Sequence, residues 1–328
     1  MFNNQTILVT GGTGSWGYEL VKQLLTHNPK EIRIFSRNES NQFTMKQEFD
    51  NNPKLSFLIG DIKEKDSLVE ACQGVDYVYH LAALKHVPVC EDQPLEALKT
   101  NVHGTQNVID AAITCDVKRV IYISTDKAAN PSNFYGLSKA MGERLIIHAN
   151  TLNTKTRFVC IRGGNVLGTN GSVIHVFKKQ IQEKGKVGIT DLKMTRFFLT
   201  LEDAIKLVFK ATFESMGGEI FVMKMPTCRI VDLAHVLIEA SNKENVEIET
   251  LGIRPGEKIH ELLLSEYEST TTVAYDDEYF VILPPIHIDG LKEFYSKFNP
   301  VNLVNYNSSK DLMSREEIQE MLKKGRFI

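Results

Sequence analysis

The stretch TILVTGGTGSWG, residues 6–17, decides the fold of this chain. A short apolar run rich in β-branched residues ends in glycines, and Gly11, Gly14 and Gly17 then stand three residues apart. Residues 15–27 continue with apolar side chains at helical spacing. Glycines between a strand and a helix keep the turn tight and let backbone N–H groups approach an anion at the positive end of the helix. The stretch therefore predicts a strand, a phosphate-binding turn and a helix.

The same alternation repeats along the first half of the chain. Apolar runs of strand length are EIRIFS, KLSFLIGD, VDYVYHLAA, RVIYIST and TRFVCIRGGNVLG, and helical patterns such as DSLVEAC and NVHGTQNVIDAAITC separate most of them. Alternation of this kind implies parallel strands with right-handed helical crossovers. We predict an α/β fold, a doubly wound parallel sheet of the Rossmann type over residues 1–166, with some later segments returning to it. Residues 167–328 are predicted to form a smaller α/β cap that binds substrate.

Composition excludes several classes of function. Of the 328 residues, 42% are apolar and 24% charged, which is typical of a soluble globular protein. A net charge of −3 favours neither nucleic acid nor an acidic membrane surface as a partner. The N-terminus lacks a signal-peptide pattern and no apolar run approaches a membrane span, so we expect a cytoplasmic protein. The five cysteines show no CxxC spacing, and we predict no metal site.

The glycine turn predicts a dinucleotide cofactor. Ser36 and Arg37 end the second predicted strand, where NAD-specific sheets place an acidic residue. Because a guanidinium suits a 2′-phosphate, we predict NADP, with NAD as the alternative if Arg37 is merely exposed. Asp61 after the third strand is a candidate for the adenine amino group. The predicted cofactor-binding residues are Gly11, Thr13, Gly14, Ser15, Trp16, Gly17, Ser36, Arg37, Asp61, Ile62, Ala82, Ala83, Tyr135 and Lys139.

Residues 124–139, STDKAANPSNFYGLSK, carry the predicted chemistry. Tyr135 and Lys139 are four residues apart and share a helix face. An ammonium beside a phenol stabilises the phenolate, so we expect a lowered pKa at Tyr135 and a base for a sugar hydroxyl. With the glycine turn before it, this pair makes the chain resemble the extended short-chain dehydrogenase/reductase superfamily.

Asp126 and Lys127 follow the strand RVIYIST at its carboxyl end, where such sheets bind ligands. An epimerase does not need this acid and base, whereas an enzyme that removes water does. Oxidation at C4 of a sugar acidifies the C5 hydrogen, so a base can take that proton while an acid protonates the departing C6 hydroxyl. The alternative is a salt bridge within the loop.

Longer motifs sharpen the resemblance. They are LAALKHVP (81–88), STDKAANPSNFYG (124–136), GSVI (171–174), MTRFFLTLEDA (194–204), GGEIFV (217–222) and GIRPGEKIHE (252–261). They resemble the C5-inverting UDP-N-acetylglucosamine 4,6-dehydratases of pseudaminic acid biosynthesis, which are oligomers. The resemblance implies UDP-N-acetylglucosamine as substrate, Lys127 as C5 base, Asp126 as C6 acid, and Tyr135 with Lys139 as the C4 oxidation pair. The implied substrate-binding residues are Lys85, Thr125, Asn165, Ser172, Val173, Thr195, Arg196, Arg254 and Glu257.

Two residues depart from that family's pattern. Gly163 stands where the family shows tyrosine, and Trp16 where it shows phenylalanine. Return of hydride to C4, which would release a 5,6-unsaturated sugar, and retention at C5 therefore stay open as alternatives. A UDP-sugar 4-epimerase and a binding protein without turnover are the further alternatives.

Overall fold

The computed structural model describes residues 1–152, 155–169 and 171–328. Its strands are β1 (Thr6–Thr10), β2 (Glu31–Ser36), β3 (Leu55–Ile59), β4 (Tyr77–His80), β5 (Arg119–Thr125), β6 (Arg157–Gly163), β7 (Asn165–Val166), β8 (Lys186–Ile189), β9 (Thr195–Leu199), β10 (Ile220–Met223), β11 (Thr227–Arg229), β12 (Glu247–Thr250), β13 (Leu262–Leu264), β14 (Thr272–Ala274), β15 (Tyr279–Ile282), β16 (Asn299–Pro300) and β17 (Tyr306–Asn307).

The helices alternate with the strands in the first half of the chain. They are α1 (Ser15–Leu25), α2 (Glu39–Glu48), α3 (Lys65–Cys72), α4 (Val87–Asp92), α5 (Pro94–Leu98), α6 (Gly104–Thr114), α7 (Phe134–Ala149), α8 (Val173–Lys184), α9 (Leu201–Glu214), α10 (Ile230–Ala240), α11 (Glu266–Ser269), α12 (Leu291–Tyr295) and α13 (Arg315–Lys324). A π-helical turn, Lys99–His103, leads into α6, and a 3-10 turn, Asp126–Ala128, follows β5.

The main sheet confirms the predicted doubly wound fold. Within the described residues it has ten strands in the order β16-β14-β15-β10-β6-β5-β4-β1-β2-β3. The run from β10 to β3 is parallel, and β15, β14 and β16 extend it in antiparallel fashion. The strand order reverses between β1 and β4, so a ligand crevice is expected at the carboxyl ends of these strands.

A second, smaller layer carries its own core. Helices α8, α10 and α13 pack together through buried apolar side chains, among them Phe177, Leu233 and Leu322. The chain passes between the main sheet and this layer through the strands of a three-stranded sheet, β11-β9-β7. Four stretches of this half with apolar side chains at helical spacing, 171–185, 201–218, 230–241 and 314–325, form α8, α9, α10 and α13.

One predicted strand divides in two. TRFVCIRGGNVLG forms β6 in the main sheet and then β7, which pairs with β9 in the smaller sheet. The break falls at Gly163–Gly164, where a Cβ on Gly164 would come within 2.6 Å of Cβ of Phe197. The chain crosses between the two sheets here, so Asn165 lies in the smaller sheet. None of the helices in the described part of the chain is long and apolar enough to cross a bilayer.

Candidate active site

A cleft of about 560 Å³ lies at the carboxyl ends of the parallel strands. A cavity of this size is typical of a small-molecule site. Every residue predicted to bind cofactor lines it, from the glycine turn to Tyr135 and Lys139. Among the lining residues that the sequence analysis did not single out are Asn38, Asn41 and Thr100. Asn38 precedes α2 and Asn41 lies in its first turn, so their position beside the strand end was the available signal.

The glycine turn is built for close approach. Gly11 has a φ of +69°, and a Cβ there would lie 2.8 Å from the backbone of Ala82 in the facing loop. Helix α1 begins at Ser15 behind Gly14, and no acidic residue occupies its first turn. The positive end of the helix therefore faces the cleft without a carboxylate of its own nearby, which fits the pyrophosphate of a dinucleotide.

The rim near β2 is charged. Arg37 is 58% exposed and its Nη1 lies 3.8 Å from Oδ2 of Asp61, which is also 3.6 Å from the Lys63 ammonium. The Ser36 hydroxyl accepts a hydrogen bond from Gln42. Lys63 also pairs with Glu96 at 3.3 Å, so two cations face two carboxylates here, and Arg37 is the more exposed of the two cations. An exposed guanidinium is able to pair with a phosphate.

The Asp126–Lys127 pair is a salt bridge, and it lies at the end of β5. Asp126 is only 1% exposed, and its Oδ1 accepts hydrogen bonds from the Thr125 hydroxyl at 2.8 Å and from Lys127 Nζ at 3.0 Å. Its Oδ2 is buried and has no hydrogen-bond partner among the described residues. Leaving one oxygen of a buried carboxylate without a hydrogen bond costs folding free energy, which favours a functional role for this group.

The Tyr135–Lys139 pair differs from the prediction in its electrostatics. Burial raises the pKa of Tyr135 to about 12, against the opposing effects of the Lys127 ammonium and a hydrogen bond with Thr125. Lys139 instead donates to the carbonyl oxygen of Ile123 at 2.7 Å and lies over the ring of Tyr122. The expectation of a lowered Tyr135 pKa is therefore wrong, because burial outweighs the neighbouring charges. Burial also lowers the pKa of Lys139 to about 7.

A second cavity of about 260 Å³ lies beside α8 and the loop that contains Arg254. Five of the implied substrate-binding residues line it: Asn165, Val173, Arg196, Arg254 and Glu257. Lys85 and Thr125 line the cofactor cleft instead. Ser172 precedes α8, and its hydroxyl is buried without a hydrogen-bond partner among the described residues. Thr195 is buried and hydrogen bonded to His260 and Ser308, away from both cavities.

Arg196 holds a loop as well as lining this cavity. Its guanidinium donates to the carbonyl oxygens of Thr195, Lys258 and Ile259. The loop in turn docks on the segment after β5, since Gly256 O accepts from Ser132 and Asn133, and Lys258 Nζ donates to Ala129 O. We name residues 254–261 the clasp loop, because it joins the second cavity to the segment that follows β5.

Two further sets of buried charges escaped the sequence analysis. Glu261, at the end of the clasp loop, is 3% exposed and lies 3.7 Å from Lys127 Nζ. Arg162 on β6 pairs with Glu143 on α7 and with Glu268 on α11. Glu143 also accepts from the Ser124 hydroxyl, so this set supports the helix that carries Tyr135. The only sequence feature that pointed to Glu261 was its position at the end of the motif GIRPGEKIHE.

The sheet, the glycine turn and the Tyr–Lys helix define a member of the extended short-chain dehydrogenase/reductase superfamily. The chain belongs to the family described as "Polysaccharide biosynthesis protein", whose pattern matches residues 7–283. The motif resemblance is confirmed by the UDP-N-acetylglucosamine 4,6-dehydratase (inverting) of Campylobacter jejuni, which is 47% identical over 291 residues, 87% of this chain and 85% of that one.

Two other similar proteins differ in what their names say. A protein of Rickettsia rickettsii named UDP-glucose 4-epimerase is 41% identical over 98% of this chain and 96% of its own length. The crystal structure of Pen from Bacillus thuringiensis superposes with a TM-score of 0.91 at 40% identity, covering 98% of this chain and 99% of that one.

Proposed function

We propose that this chain dehydrates UDP-N-acetylglucosamine with NADP as cofactor. C4 is oxidised, water leaves across C5–C6, and the hydride returns to C6 while C5 takes a proton from solvent on the opposite face, which inverts C5. The proximity of two proton-transfer pairs carries this proposal, since Thr125, which donates to Asp126 at 2.8 Å, lines the same cleft as Tyr135 and Lys139. The inverting dehydratase named among the relatives supports the same reaction. The reaction would open the biosynthesis of a surface sugar of the pseudaminic acid type.

Each residue then has one task. A nicotinamide cofactor bound in the glycine cleft supplies the oxidation of the C4 hydroxyl and the return of the hydride. Tyr135 accepts the C4 hydroxyl proton, and the Lys127 ammonium and the Thr125 hydroxyl are the groups that favour its phenolate. The C4 ketone acidifies C5–H, so Lys127 takes that proton while Asp126 protonates the departing C6 oxygen.

The second cavity suits the nucleotide of the substrate. Helix α8 has twelve residues and no acidic residue in its first turn, and the Ser172 hydroxyl at its N-terminus has no hydrogen-bond partner among the described residues. These features favour a diphosphate, and Arg254 supplies an exposed guanidinium at the mouth. We expect Glu257, which also lines this cavity, to accept from ribose hydroxyls. The charged rim at Arg37 supports NADP over NAD.

A UDP-sugar 4-epimerase is the second candidate, because the Rickettsia relative carries that name. Epimerisation uses Tyr135 and Lys139 but has no step for Asp126 or Lys127. The separate variants Asp126→Asn and Lys127→Ala therefore distinguish the two functions. Either change should stop a dehydratase and spare an epimerase.

Proton NMR of UDP-N-acetylglucosamine incubated with the protein and NADP in D₂O tests the proposal. We expect a new C6 methyl signal without deuterium, because its third hydrogen is the hydride from C4, together with deuterium at C5, which takes its proton from solvent. Olefinic C6 protons would mean that hydride returns to C4. In a parallel sample in H₂O, a nuclear Overhauser effect between H3 and H5 would mean retention at C5, and its absence would mean inversion. A product changed only at C4 would favour the epimerase, and an unchanged spectrum would refute turnover of this sugar.

A further inference from the structure

Lys127 lies between two buried carboxylates. Its Nζ is 3.0 Å from Oδ1 of Asp126 and 3.7 Å from Oε1 of Glu261. Both carboxylates are almost fully buried, at 1% and 3% exposure. Each also has one oxygen, Asp126 Oδ2 and Glu261 Oε2, that is buried with no hydrogen-bond partner among the described residues. The Lys127 ammonium therefore faces two carboxylates, whereas a simple salt bridge has one.

Other charges surround this group from every side. The titratable or charged side chains that face Lys127 are Asp126, Tyr135, Arg196, Lys258 and Glu261. Glu261 lies between two cations, because Arg196 Nε is 3.8 Å from the same Oε1 that faces Lys127. Burial disfavours the ammonium, but Asp126 and Glu261 outweigh it and raise the pKa of Lys127. The resting pair is thus an ammonium and a carboxylate.

That resting state is the reverse of what the elimination needs. A base at C5 must be a neutral amine, and an acid at the C6 oxygen must be a carboxylic acid. Transfer of one proton from Lys127 Nζ to Asp126 Oδ1, along the 3.0 Å hydrogen bond, produces both at once. The pair carries no net charge before or after the transfer.

The elimination then returns both members of the pair to their starting protonation states. Lys127 takes the C5 proton, the C5–H electron pair forms the C5=C6 double bond, and the C6–O bond breaks. The oxygen leaves as water with the proton from Asp126. Lys127 is again an ammonium and Asp126 a carboxylate, so no proton from solvent is needed for the next elimination.

We propose that Glu261 is a positioning residue for this elimination, which holds the Lys127 ammonium beside Asp126 and sets how readily Lys127 passes its proton to Asp126. The inference rests on the proposed function and extends it to a residue of the clasp loop. The negative charge of Glu261 favours the ammonium form. Its removal therefore increases the fraction of Lys127 present as free amine.

The free amine can be measured without turnover. Lys127 is 23% exposed as a side chain, so a small reagent such as cyanate reaches it. We would compare carbamoylation rates of Lys127 at pH 8 by mass spectrometry in the wild type and in Glu261→Gln. Loss of an opposite charge within about 4–6 Å shifts a pKa by about 1–3 units. We therefore expect labelling to rise about tenfold or more.

Glu268→Gln is the matched control. It also neutralises a carboxylate that is only 12% exposed, but Glu268 pairs with Arg162 and not with Lys127. We expect its Lys127 labelling to equal that of the wild type. If Glu261→Gln does not fold, as judged by circular dichroism, Glu261→Asp serves in its place, with a smaller rise because the charge remains but lies farther away. Equal labelling in the wild type and the folded Glu261 variant would overturn the proposal.

Kinetics test the catalytic part. In Glu261→Gln we expect the alkaline limb of the pH profile of kcat to move to lower pH, whereas a purely structural loss lowers kcat equally at every pH. A profile of unchanged shape would overturn the role in elimination. A wild type that leaves UDP-N-acetylglucosamine unchanged would refute the proposed function and that role together, while the labelling rates still decide whether Glu261 controls the Lys127 ammonium.

Discussion

Replacing Arg162 by methionine should destabilise the protein strongly. Arg162 is 1% exposed, and its five N–H groups make five hydrogen bonds, two to Glu143, two to Glu268 and one to the carbonyl oxygen of Leu263. Methionine fills similar space but leaves two carboxylates buried without their cation. Breaking a buried ion pair in this way costs about 3–5 kcal/mol.

That free energy converts to a measurable change in Tm. With an unfolding entropy of about 2.1 cal/mol/K per residue, a chain of 328 residues should lose about 4–7 °C. Differential scanning calorimetry of the wild type and Arg162→Met at pH 7 measures the difference. The triple variant Arg162→Met/Glu143→Gln/Glu268→Gln should recover most of the loss, because its buried carboxylates are replaced by neutral amides.

An exposed ion pair provides the comparison. Lys186 and Glu249 pair at 2.7 Å with side chains 47% and 44% exposed. Lys186→Met should change Tm little, since solvent screens such pairs. The reasoning about Arg162 would be refuted if Arg162→Met lost no more than Lys186→Met, or if the triple variant were less stable than the single one.

Three other predictions concern the site. Lys127→Ala should lower formation of the C6 methyl product by about 10²–10⁴-fold with the Kd for NADP unchanged, as measured by NMR and calorimetry; an unaffected product rate would exclude Lys127 as the base. Arg37→Ala should weaken NADP binding by about tenfold or more, as expected for a charge-assisted hydrogen bond, and leave the Kd for NAD nearly constant; equal loss for both cofactors would contradict a contact with a 2′-phosphate. The pKa of Lys139 is lowered to about 7 from 10.5. Between those pH values the unfolded chain holds a proton on Lys139 that the native state has released. The free energy of unfolding therefore rises with pH in this range, by at most about 1.4 kcal/mol per pH unit. Lys139→Met should therefore gain stability relative to the wild type most at pH 7 and below, and this advantage should shrink towards pH 10 in denaturant titrations; a difference independent of pH would show that Lys139 is not the group responsible.

Features set by local sequence were the ones that sequence analysis could predict. The glycine turn, the strand ends after β2, β3 and β4, and the Tyr135–Lys139 spacing all depend on neighbouring residues, and the doubly wound order brings them to one edge. That is why the whole predicted cofactor set lines a single cleft. The same logic placed Asp126 at the end of β5, because strand ends in a parallel sheet share a side.

Ion pairs between residues far apart in the chain could not be predicted from the sequence. Glu261 meets Lys127 from more than a hundred residues away, and Arg162 pairs with Glu268 at a separation of 106 residues. A glutamate in a sequence indicates solvent exposure by default, and only packing shows that these are buried. The prediction of a lowered Tyr135 pKa failed for the same reason. Sequence spacing identifies a neighbouring cation, but the depth of burial that opposes it depends on the assembled fold.

The pairing of β10 with β6 has a consequence for biosynthesis of the chain. Strand β6 is complete at Gly163, yet its outer neighbour begins only at Ile220, after β7, β8, β9 and two long helices have been made. Until then the nascent sheet ends in an open strand whose residues Phe158–Ile161 are all apolar and, once folded, buried. An open apolar edge of this kind recruits other strands. Ribosome-bound chains stalled between these two strands should therefore bind chaperones more tightly than chains released after β10.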